Sequence, residues 1–185
     1  MFIQHTSRLV LRDFVEDDWY AAHQFSADPE VTQYIDFIKS DSEAQTQQWI
    51  RGMIFHNQLQ PRVSYNLAIT QQTDQQLIGW IGIGQAHNNS AGDHSFGYAL
   101  HRAYWGRGYA TEALRAMLEI GFTKLGARTI FGECDAANPA SARVMEKAGL
   151  RFDACLEERD VETGRLDTTL RYTLKYTEWR AQPYP

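Results

Sequence analysis

The segment YWGRGYATEAL, at residues 104–114, places two glycines in three positions and then continues at once in a helical pattern. Small and apolar side chains recur at positions 110, 113, 114, 117, 118 and 121, the period of an amphipathic helix that extends to about residue 125. Gly106 and Gly108 have no Cβ and permit positive φ, so several backbone N–H groups can point towards one centre before this helix. The segment therefore predicts a glycine turn that leads directly into a buried helix.

A glycine turn at the start of a helix is suited to binding an anion. The first N–H groups of a helix have no intrahelical partner, and the helix dipole gives that end partial positive charge, which favours phosphate. A plain turn between a strand and a helix needs the same glycines, so the turn alone is weak evidence. Two nucleotide-binding motifs do not fit, because no Gly-Lys-Ser/Thr occurs and Thr111 stands where the dinucleotide fingerprint needs its third glycine.

A second motif, NPASARVMEKAGL, occupies residues 138–150. Asn138 is suited to cap a helix, with Pro139 at its first position and Ser141 able to share in the cap. We expect this helix to cover residues 139–147 and to end at Gly149 as its C-cap. Capping accounts for these residues and is compatible with an additional functional role.

Together the two segments resemble the GNAT acetyltransferase superfamily, most closely the RimJ/RimL-like branch of ribosomal-protein N-terminal acetyltransferases. The cofactor loop of the family, Q/R-x-x-G-x-G/A, matches residues 105–110 in register, with Trp105 in place of the usual Gln or Arg, a residue familiar from the RimJ/RimL-like branch. The second family signature, N-x-x-S-x-x-apolar-x-E-K-x-G-F/L, matches residues 138–150. The resemblance extends from RLVLRDF, at residues 8–14, to the final predicted strand.

By this resemblance, the chain is expected to use acetyl-CoA as co-substrate, held in a V-shaped opening between the strand that ends at Leu100 and a strand at residues 129–134. The backbone of Tyr98, Ala99 and Leu100 would hydrogen-bond the pantetheine arm, and Asn138 and Ser141 would approach the thioester end. The pyrophosphate would be held by the loop residues Trp105, Gly106, Arg107, Gly108, Tyr109, Ala110 and Thr111.

The implied reaction is the attack of a neutral amine on the thioester carbonyl. It requires a donor for the developing oxyanion and a proton for the departing thiolate. The backbone N–H groups of the strand ending at Leu100 are the expected oxyanion donors. Many family members carry a tyrosine acid seven residues after the asparagine, but Met145 stands there, so Ser141 is the candidate acid.

The candidate general base is Glu133, which matches a glutamate used as base in a related N-terminal acetyltransferase branch. An outward strand glutamate paired with a cation explains this residue as well. A base acting through a water molecule is the alternative, supplied by Glu157 or Glu158, or by Asp93 and His94. Cys134 has no recognisable base partner and is interpreted as a buried thiol rather than a nucleophile.

The remaining patterns predict a single domain over residues 1–185 of α/β (α+β) class. Predicted strands cover residues 8–14, 64–70, 77–83, 94–100, 129–134, 152–159 and 168–176, with a turn at 162–165, and two further helices cover residues 19–27 and 42–56. Antiparallel hairpins around a central strand-helix-strand-helix segment favour a mixed, mostly antiparallel sheet. The resemblance implies that this sheet is split by the V-shaped cleft and flanked by about four helices.

The composition restricts the classes of molecule that the protein is expected to bind. The formal net charge is -5, with 23 acidic and 18 basic residues, which argues against nucleic acid and is compatible with an amine or a basic protein tail. Neither the two cysteines nor the six histidines have metal-ligand spacing, so no metal is expected. Because neither a signal peptide nor a membrane-spanning stretch is recognisable, we expect a cytoplasmic protein without a membrane partner.

The acceptor is left open between three hypotheses. The first is a protein N-terminal amine, and the second is a small amine such as a polyamine, amino acid or antibiotic. The third is that the protein is a CoA-binding regulatory module without catalysis, a hypothesis that Met145 supports because it cannot donate a proton. The acceptor pocket should come from the first two helices and the final hairpin, which are rich in aromatic residues and carry Asp36 and Asp41. The sequence is compatible with a homodimer but defines no interface.

Overall fold

A computed structural model describes residues 1–86, 92–159 and 166–181. Within these ranges the chain forms one sheet of eight strands in the order β1-β2-β3-β4-β5-β6-β8-β7. The strands are β1 (Ile3–His5), β2 (Leu9–Asp13), β3 (Ser64–Gln71), β4 (Leu77–Gln85), β5 (Asp93–Leu100), β6 (Thr129–Asp135), β7 (Arg151–Arg159) and β8 (Leu166–Lys175). The helices are α1 (Trp19–Ser26), α2 (Pro29–Thr32), α3 (Glu43–Gln58), α4 (Tyr109–Thr123), α5 (Pro139–Lys147) and α6 (Tyr176–Ala181), with 3₁₀ turns at Glu16–Asp18, Asp36–Ile38 and Arg102–Tyr104.

The sheet is mostly antiparallel, as predicted, and its parallel pair is β5 with β6. This pairing covers only residues 93–95 of β5 and residues 129–131 of β6. Beyond it, β5 continues along β4, whereas β6 continues along β8. The two strands therefore separate towards their C-terminal ends and leave a gap within the sheet, in line with the predicted V-shaped opening.

Two hydrophobic cores lie on opposite faces of the sheet. One packs α4 and α5 against the sheet around Leu114, Met117 and Ile130, and the other packs α1 and α3 around Phe25 and Trp80. Gly121 allows the close approach of α4, because a Cβ there would lie 2.6 Å from two isoleucine side chains of the sheet. Gly121, the last residue of the α4 stripe, therefore serves close packing of the helix against the sheet.

The structure differs from the sequence prediction at short elements. It adds β1, α2 and α6, which have three, four and six residues and are too short to show a periodic pattern. The four longer helices α1, α3, α4 and α5 correspond to the predicted ones, and Ser42 caps α3 by accepting a hydrogen bond from the Gln45 N–H at 3.3 Å. The predicted turn at 162–165 lies outside the described residues. No helix in the described ranges is long and apolar enough to cross a bilayer.

Candidate active site

The gap between β5 and β6 is lined by backbone groups of β5. At one end of this strand the Asp93 carbonyl accepts a hydrogen bond from the Ala86 N–H at 3.1 Å, and just beyond its other end the His101 N–H donates to the Ile78 carbonyl at 2.8 Å. In an antiparallel ladder such pairs alternate, so odd-numbered residues from 93 to 101 turn their backbone groups towards β4. The even-numbered residues turn theirs towards β6.

This alternation decides which of the three predicted pantetheine contacts can be made from the backbone of β5. The N–H groups of Tyr98 and Leu100 lie beyond the short β5–β6 ladder and point into the gap. The N–H and carbonyl of Ala99 point towards Trp80 on β4 instead, and its methyl group is buried in the core under α1 and α3. Tyr98 and Leu100 therefore offer hydrogen bonds to a ligand in the gap, and Ala99 does not.

The predicted glycine turn follows directly after β5. Gly106 and Gly108 have φ of 73° and 80°, a region that L side chains rarely adopt, so the turn requires glycine at both positions. Gly108 is the N-cap of α4 and provides no side chain to cap it. The N–H groups of Tyr109, Ala110 and Thr111 precede the first helical hydrogen bond, which runs from the Glu112 N–H to the Gly108 carbonyl. These three amides are therefore available to an anion.

Trp105 ties this turn to the end of β5. Its indole Nε1–H donates a hydrogen bond to the Leu100 carbonyl at 2.8 Å, while 47% of the residue remains exposed. The bond uses the carbonyl of Leu100 and leaves its N–H free to face the gap. A tryptophan at this position thus connects the two predicted binding segments, a role that the sequence did not reveal.

A side-chain hydrogen bond joins the two sides of the gap. The Tyr98 hydroxyl on β5 lies 2.9 Å from the Ser141 hydroxyl at the start of α5, and Asn138 caps this helix by accepting from the Ser141 N–H at 3.1 Å. Burial raises the pKa of Tyr98 to about 12, although the hydrogen bond with Ser141 opposes the shift. The phenol is therefore protonated at neutral pH and can donate. The resemblance implied a role for the backbone of Tyr98 alone, and this side-chain contact was not predicted from the sequence.

Comparison with known proteins agrees with this geometry. Residues 8–151 match the family model described as the acetyltransferase (GNAT) domain. The chain belongs to the GNAT acetyltransferase family. As a member of it, the chain is an acetyl-CoA-dependent acetyltransferase, and the predicted fold and superfamily are confirmed.

Individual relatives span nearly the whole chain. An uncharacterized N-acetyltransferase of Bacillus licheniformis, p20, is 27% identical over 175 residues, which cover 95% of this chain and 97% of that protein. The structure of RimL, a ribosomal L7/L12 α-N-protein acetyltransferase in complex with coenzyme A, gives a TM-score of 0.79 at 20% identity, over 94% of this chain and 98% of that one. A chimera of the spermidine N-acetyltransferase SpeG from Vibrio cholerae and hSSAT gives 0.75 at 18% identity, over 95% and 100%. These structures share the fold, and their different acceptors leave the acceptor of this GNAT enzyme open.

Met145, at the usual position of the GNAT tyrosine acid, lies in the core with 1% of its surface exposed. Its sulfur packs against Gly132 of β6, where an added Cβ would lie 2.8 Å from it.

Cys134 is also buried, and burial raises the pKa of its thiol while a hydrogen bond with Ser141 opposes the shift. The thiol is therefore protonated at neutral pH, which agrees with a structural role for this cysteine.

Glu133 lies on β6 with its side chain on the face opposite to Cys134. Its carboxylate accepts two hydrogen bonds from Arg171 of β8, from Nε at 2.9 Å and from Nη2 at 2.7 Å, and the guanidinium lies over the Phe131 ring at 4.7 Å. The cation pairing considered from the sequence is therefore present. Both bonds end on Oε1, and no described residue binds Oε2.

The other candidate bases lie farther from the open end of the GNAT gap. Asp93 and His94 belong to the short β5–β6 ladder at its closed end, about 20 Å along the strand from Leu100 at ~3.3 Å per residue. Glu157 and Glu158 lie on β7, which β8 separates from β6. Among the candidates named from the sequence, Glu133 is therefore the carboxylate that borders the gap beyond the β5–β6 ladder.

The aromatic residues predicted to form the acceptor pocket of the GNAT domain are partly in the core and partly on the surface. Phe25 is fully buried, whereas Tyr34 and Phe37 are exposed and lie in the segment between α2 and α3. The Tyr34 hydroxyl donates to the Ala137 carbonyl at 3.2 Å, which places this segment beside the loop that leads from β6 to Asn138. Within the part of the chain that the structure describes, no group of three or more His, Cys, Asp or Glu is arranged to hold a metal ion.

Proposed function

We propose that this enzyme transfers the acetyl group of acetyl-CoA to the α-amine of a protein N-terminus. The observation that carries the choice of acceptor is the state of Glu133, whose carboxylate is engaged by Arg171. An α-amine has a pKa near ~7.8, so about a third of it is neutral at pH 7.5, whereas an alkylamine with a pKa near ~10.4 is only about 0.1% neutral. A site whose candidate base is already hydrogen-bonded to an arginine suits the acceptor that deprotonates most easily.

The proposed position of acetyl-CoA follows the donors described above. The pantetheine arm would lie along β5 and accept hydrogen bonds from the N–H groups of Tyr98 and Leu100, like a neighbouring strand. The pyrophosphate would accept hydrogen bonds from the backbone N–H groups of the first residues of α4, which follow Gly108. Asn138 would hold Ser141 next to the thioester by capping α5.

The proposed chemistry is direct acyl transfer. The neutral amine attacks the thioester carbonyl, and the N–H of Leu100 donates a hydrogen bond to the oxyanion of the tetrahedral intermediate. When the C–S bond breaks, the thiolate takes a proton from the Ser141 hydroxyl, which recovers one from the protonated Tyr98 phenol, and the phenolate regains a proton from water once the CoA thiol has left. The proton lost by the amine passes through water to Oε2 of Glu133, the oxygen that Arg171 leaves free.

The proposed acceptor also agrees with Trp105, which resembles the RimJ/RimL-like branch, and with the exposed aromatic residues Tyr34 and Phe37. Such side chains offer apolar contact to the first residues of an unfolded N-terminus. Nascent and ribosomal N-termini occur in the cytoplasm, the location predicted from the sequence.

Thiol release from acetyl-CoA over an acceptor panel tests the proposal. The panel contains short peptides with a free α-amine, the same peptides with a blocked N-terminus and an internal lysine, and the small amine spermidine. We expect turnover with the free peptides, and mass spectrometry should locate the acetyl group on the N-terminal residue. Turnover with spermidine but not with peptides would make the enzyme a small-amine acetyltransferase. Binding of CoA without turnover on any acceptor would favour the regulatory module.

A further inference from the structure

The first turn of α4 is fastened to the N-terminal segment of the chain by one carboxylate. Oε1 of Glu112 accepts hydrogen bonds from the Thr6 hydroxyl at 2.6 Å, the Ser7 hydroxyl at 3.0 Å and the Arg8 N–H at 2.8 Å. Oε2 accepts from Nε and Nη2 of Arg8, each at 2.7 Å. Burial opposes ionisation, but these hydrogen bonds lower the pKa of Glu112, so the carboxylate is charged at neutral pH.

Arg8 extends this network to the glycine turn itself. Its Nη1 donates a hydrogen bond to the Arg107 carbonyl at 3.0 Å, and its guanidinium lies over the Tyr109 ring at 4.5 Å. A single side chain therefore contacts the residues on both sides of Gly108. From the sequence, this arginine was only the first residue of a predicted strand.

The bond to the Arg107 carbonyl fixes the orientation of one peptide group. In a trans peptide the carbonyl and the following N–H point in opposite directions, so the N–H of Gly108 points away from Arg8. Gly106 and Gly108 tolerate many backbone conformations, so the glycines alone do not hold this peptide in one orientation. If the peptide turned over, its carbonyl oxygen would face the anion in place of its N–H.

We infer that Arg8, held by Glu112, is a positioning residue that keeps the Arg107–Gly108 peptide turned with its N–H towards the pyrophosphate of acetyl-CoA. The inference rests on the proposed assignment of the glycine turn to the pyrophosphate. Three of the five N–H donors of Arg8 bind Glu112 and Arg107, and its hydrogen bond to the turn is made to the backbone, so we assign its action to the backbone. Glu112 acts one step farther away by orienting the guanidinium.

Two acetyl donors distinguish this role from a general structural one. Acetyl-CoA contains the pyrophosphate, whereas S-acetylpantetheine has the same thioester arm without it. For Arg8→Gln we expect the KM for acetyl-CoA to rise about 10- to 100-fold, the range for losing a charge-assisted hydrogen bond, with kcat nearly unchanged. The kcat/KM for S-acetylpantetheine should stay within about threefold of wild type, since an unchanged thioester site acts on it.

Matched variants complete the experiment. Glu112→Gln should raise the KM for acetyl-CoA in the same direction but less, because Gln retains one oxygen acceptor. Arg115→Gln is the control, since this exposed arginine of the same helix donates to the Lys147 carbonyl at 2.7 Å, away from the turn. The ratio of kcat/KM for the two donors does not depend on the fraction of folded enzyme, so a partly unfolded variant still gives an answer.

Three outcomes would count against the inference. An equal loss for both donors in Arg8→Gln would assign Arg8 to general stability, and no loss for either donor would remove its role altogether. If wild type itself uses both donors equally well, the glycine turn does not bind the pyrophosphate, and the proposed cofactor position fails together with the inference. If wild type shows a clear preference for acetyl-CoA and Arg8→Gln keeps it, only the inference fails.

Discussion

Ser141→Ala should lower kcat by about 100-fold. The hydroxyl lies 2.9 Å from the Tyr98 phenol and is the donor proposed to reach the thiolate, so the variant removes the last member of the proton path. General acids contribute about 10²- to 10⁴-fold, and a CoA thiolate is a good leaving group, which places the effect at the lower end. A 100-fold loss corresponds to about 2.7 kcal/mol of transition-state stabilisation.

Tyr98→Phe tests whether the two hydroxyls act as one path. The phenol stays protonated because burial raises its pKa to about 12, so its role is to supply a proton rather than a charge. We expect a loss of about 10-fold in kcat, since water can replace it behind Ser141. The double variant should be no slower than Ser141→Ala alone, because residues that act in sequence are not additive.

The assay is thiol release at saturating acetyl-CoA and peptide between pH 6 and 9, with Ser64→Ala on β3 as the control for losing a hydroxyl from the sheet. The KM for acetyl-CoA should change little in Ser141→Ala if Asn138 still caps α5. A loss of kcat smaller than about threefold, or additive effects in the double variant, would refute the proton path. Either result would leave positioning of the reactants as the main source of the rate.

Three further predictions concern the structure around the site. Because the folded pKa of Glu112 is lowered, its carboxylate stabilises the fold fully above the unfolded pKa of about 4.3, and this contribution is lost as the pH falls through the folded pKa. The melting temperature of wild type should therefore exceed that of Glu112→Gln at pH 7, and the difference should shrink by pH 3; an equal difference at both pH values would contradict this. Trp105→Phe loses the hydrogen bond to the Leu100 carbonyl, and a neutral hydrogen bond contributes ~1 kcal/mol. In steady-state kinetics the KM for acetyl-CoA should therefore rise about 5- to 10-fold at unchanged kcat. Gly52→Ala on α3 should raise the free energy of unfolding by about 0.5–1 kcal/mol in urea titrations, because alanine favours a helix and the new Cβ would meet nothing within 4 Å. Gly79→Ala should lower the free energy of unfolding, because its Cβ would overlap the backbone of β5.

The sequence predicted the elements whose residues are close together along the chain. The period of the α4 stripe, the Ser42 cap and the Asn138–Pro139 start of α5 depend on local geometry, and all three are present in the structure. The family motifs added the sheet topology and the gap. Elements of three to six residues were missed because so few residues carry no periodic pattern.

The side-chain contacts of the site could not be predicted in this way. Tyr98 and Ser141 are 43 residues apart, and Arg8 and Glu112 are 104 residues apart, so only the packed fold brings each pair together. The pairing of Glu133 with Arg171 likewise depends on the register between β6 and β8, which no local pattern specifies. Strand alternation could have indicated one contact, because it places Tyr98 on the same face of β5 as the large core residues.

The separation of β5 and β6 has a consequence for what can enter the sheet. Inserting a full peptide strand between two neighbours requires about 9.6 Å between them, twice the usual spacing of ~4.8 Å. The two strands are hydrogen-bonded at residues 93–95 and 129–131, so the width between them tapers to a single spacing there and no polypeptide can pass. A peptide strand therefore cannot extend into this closed end, whereas the N–H groups nearer Leu100 remain open to a ligand. The taper thus limits how far another protein chain can pair with the exposed backbone of β5.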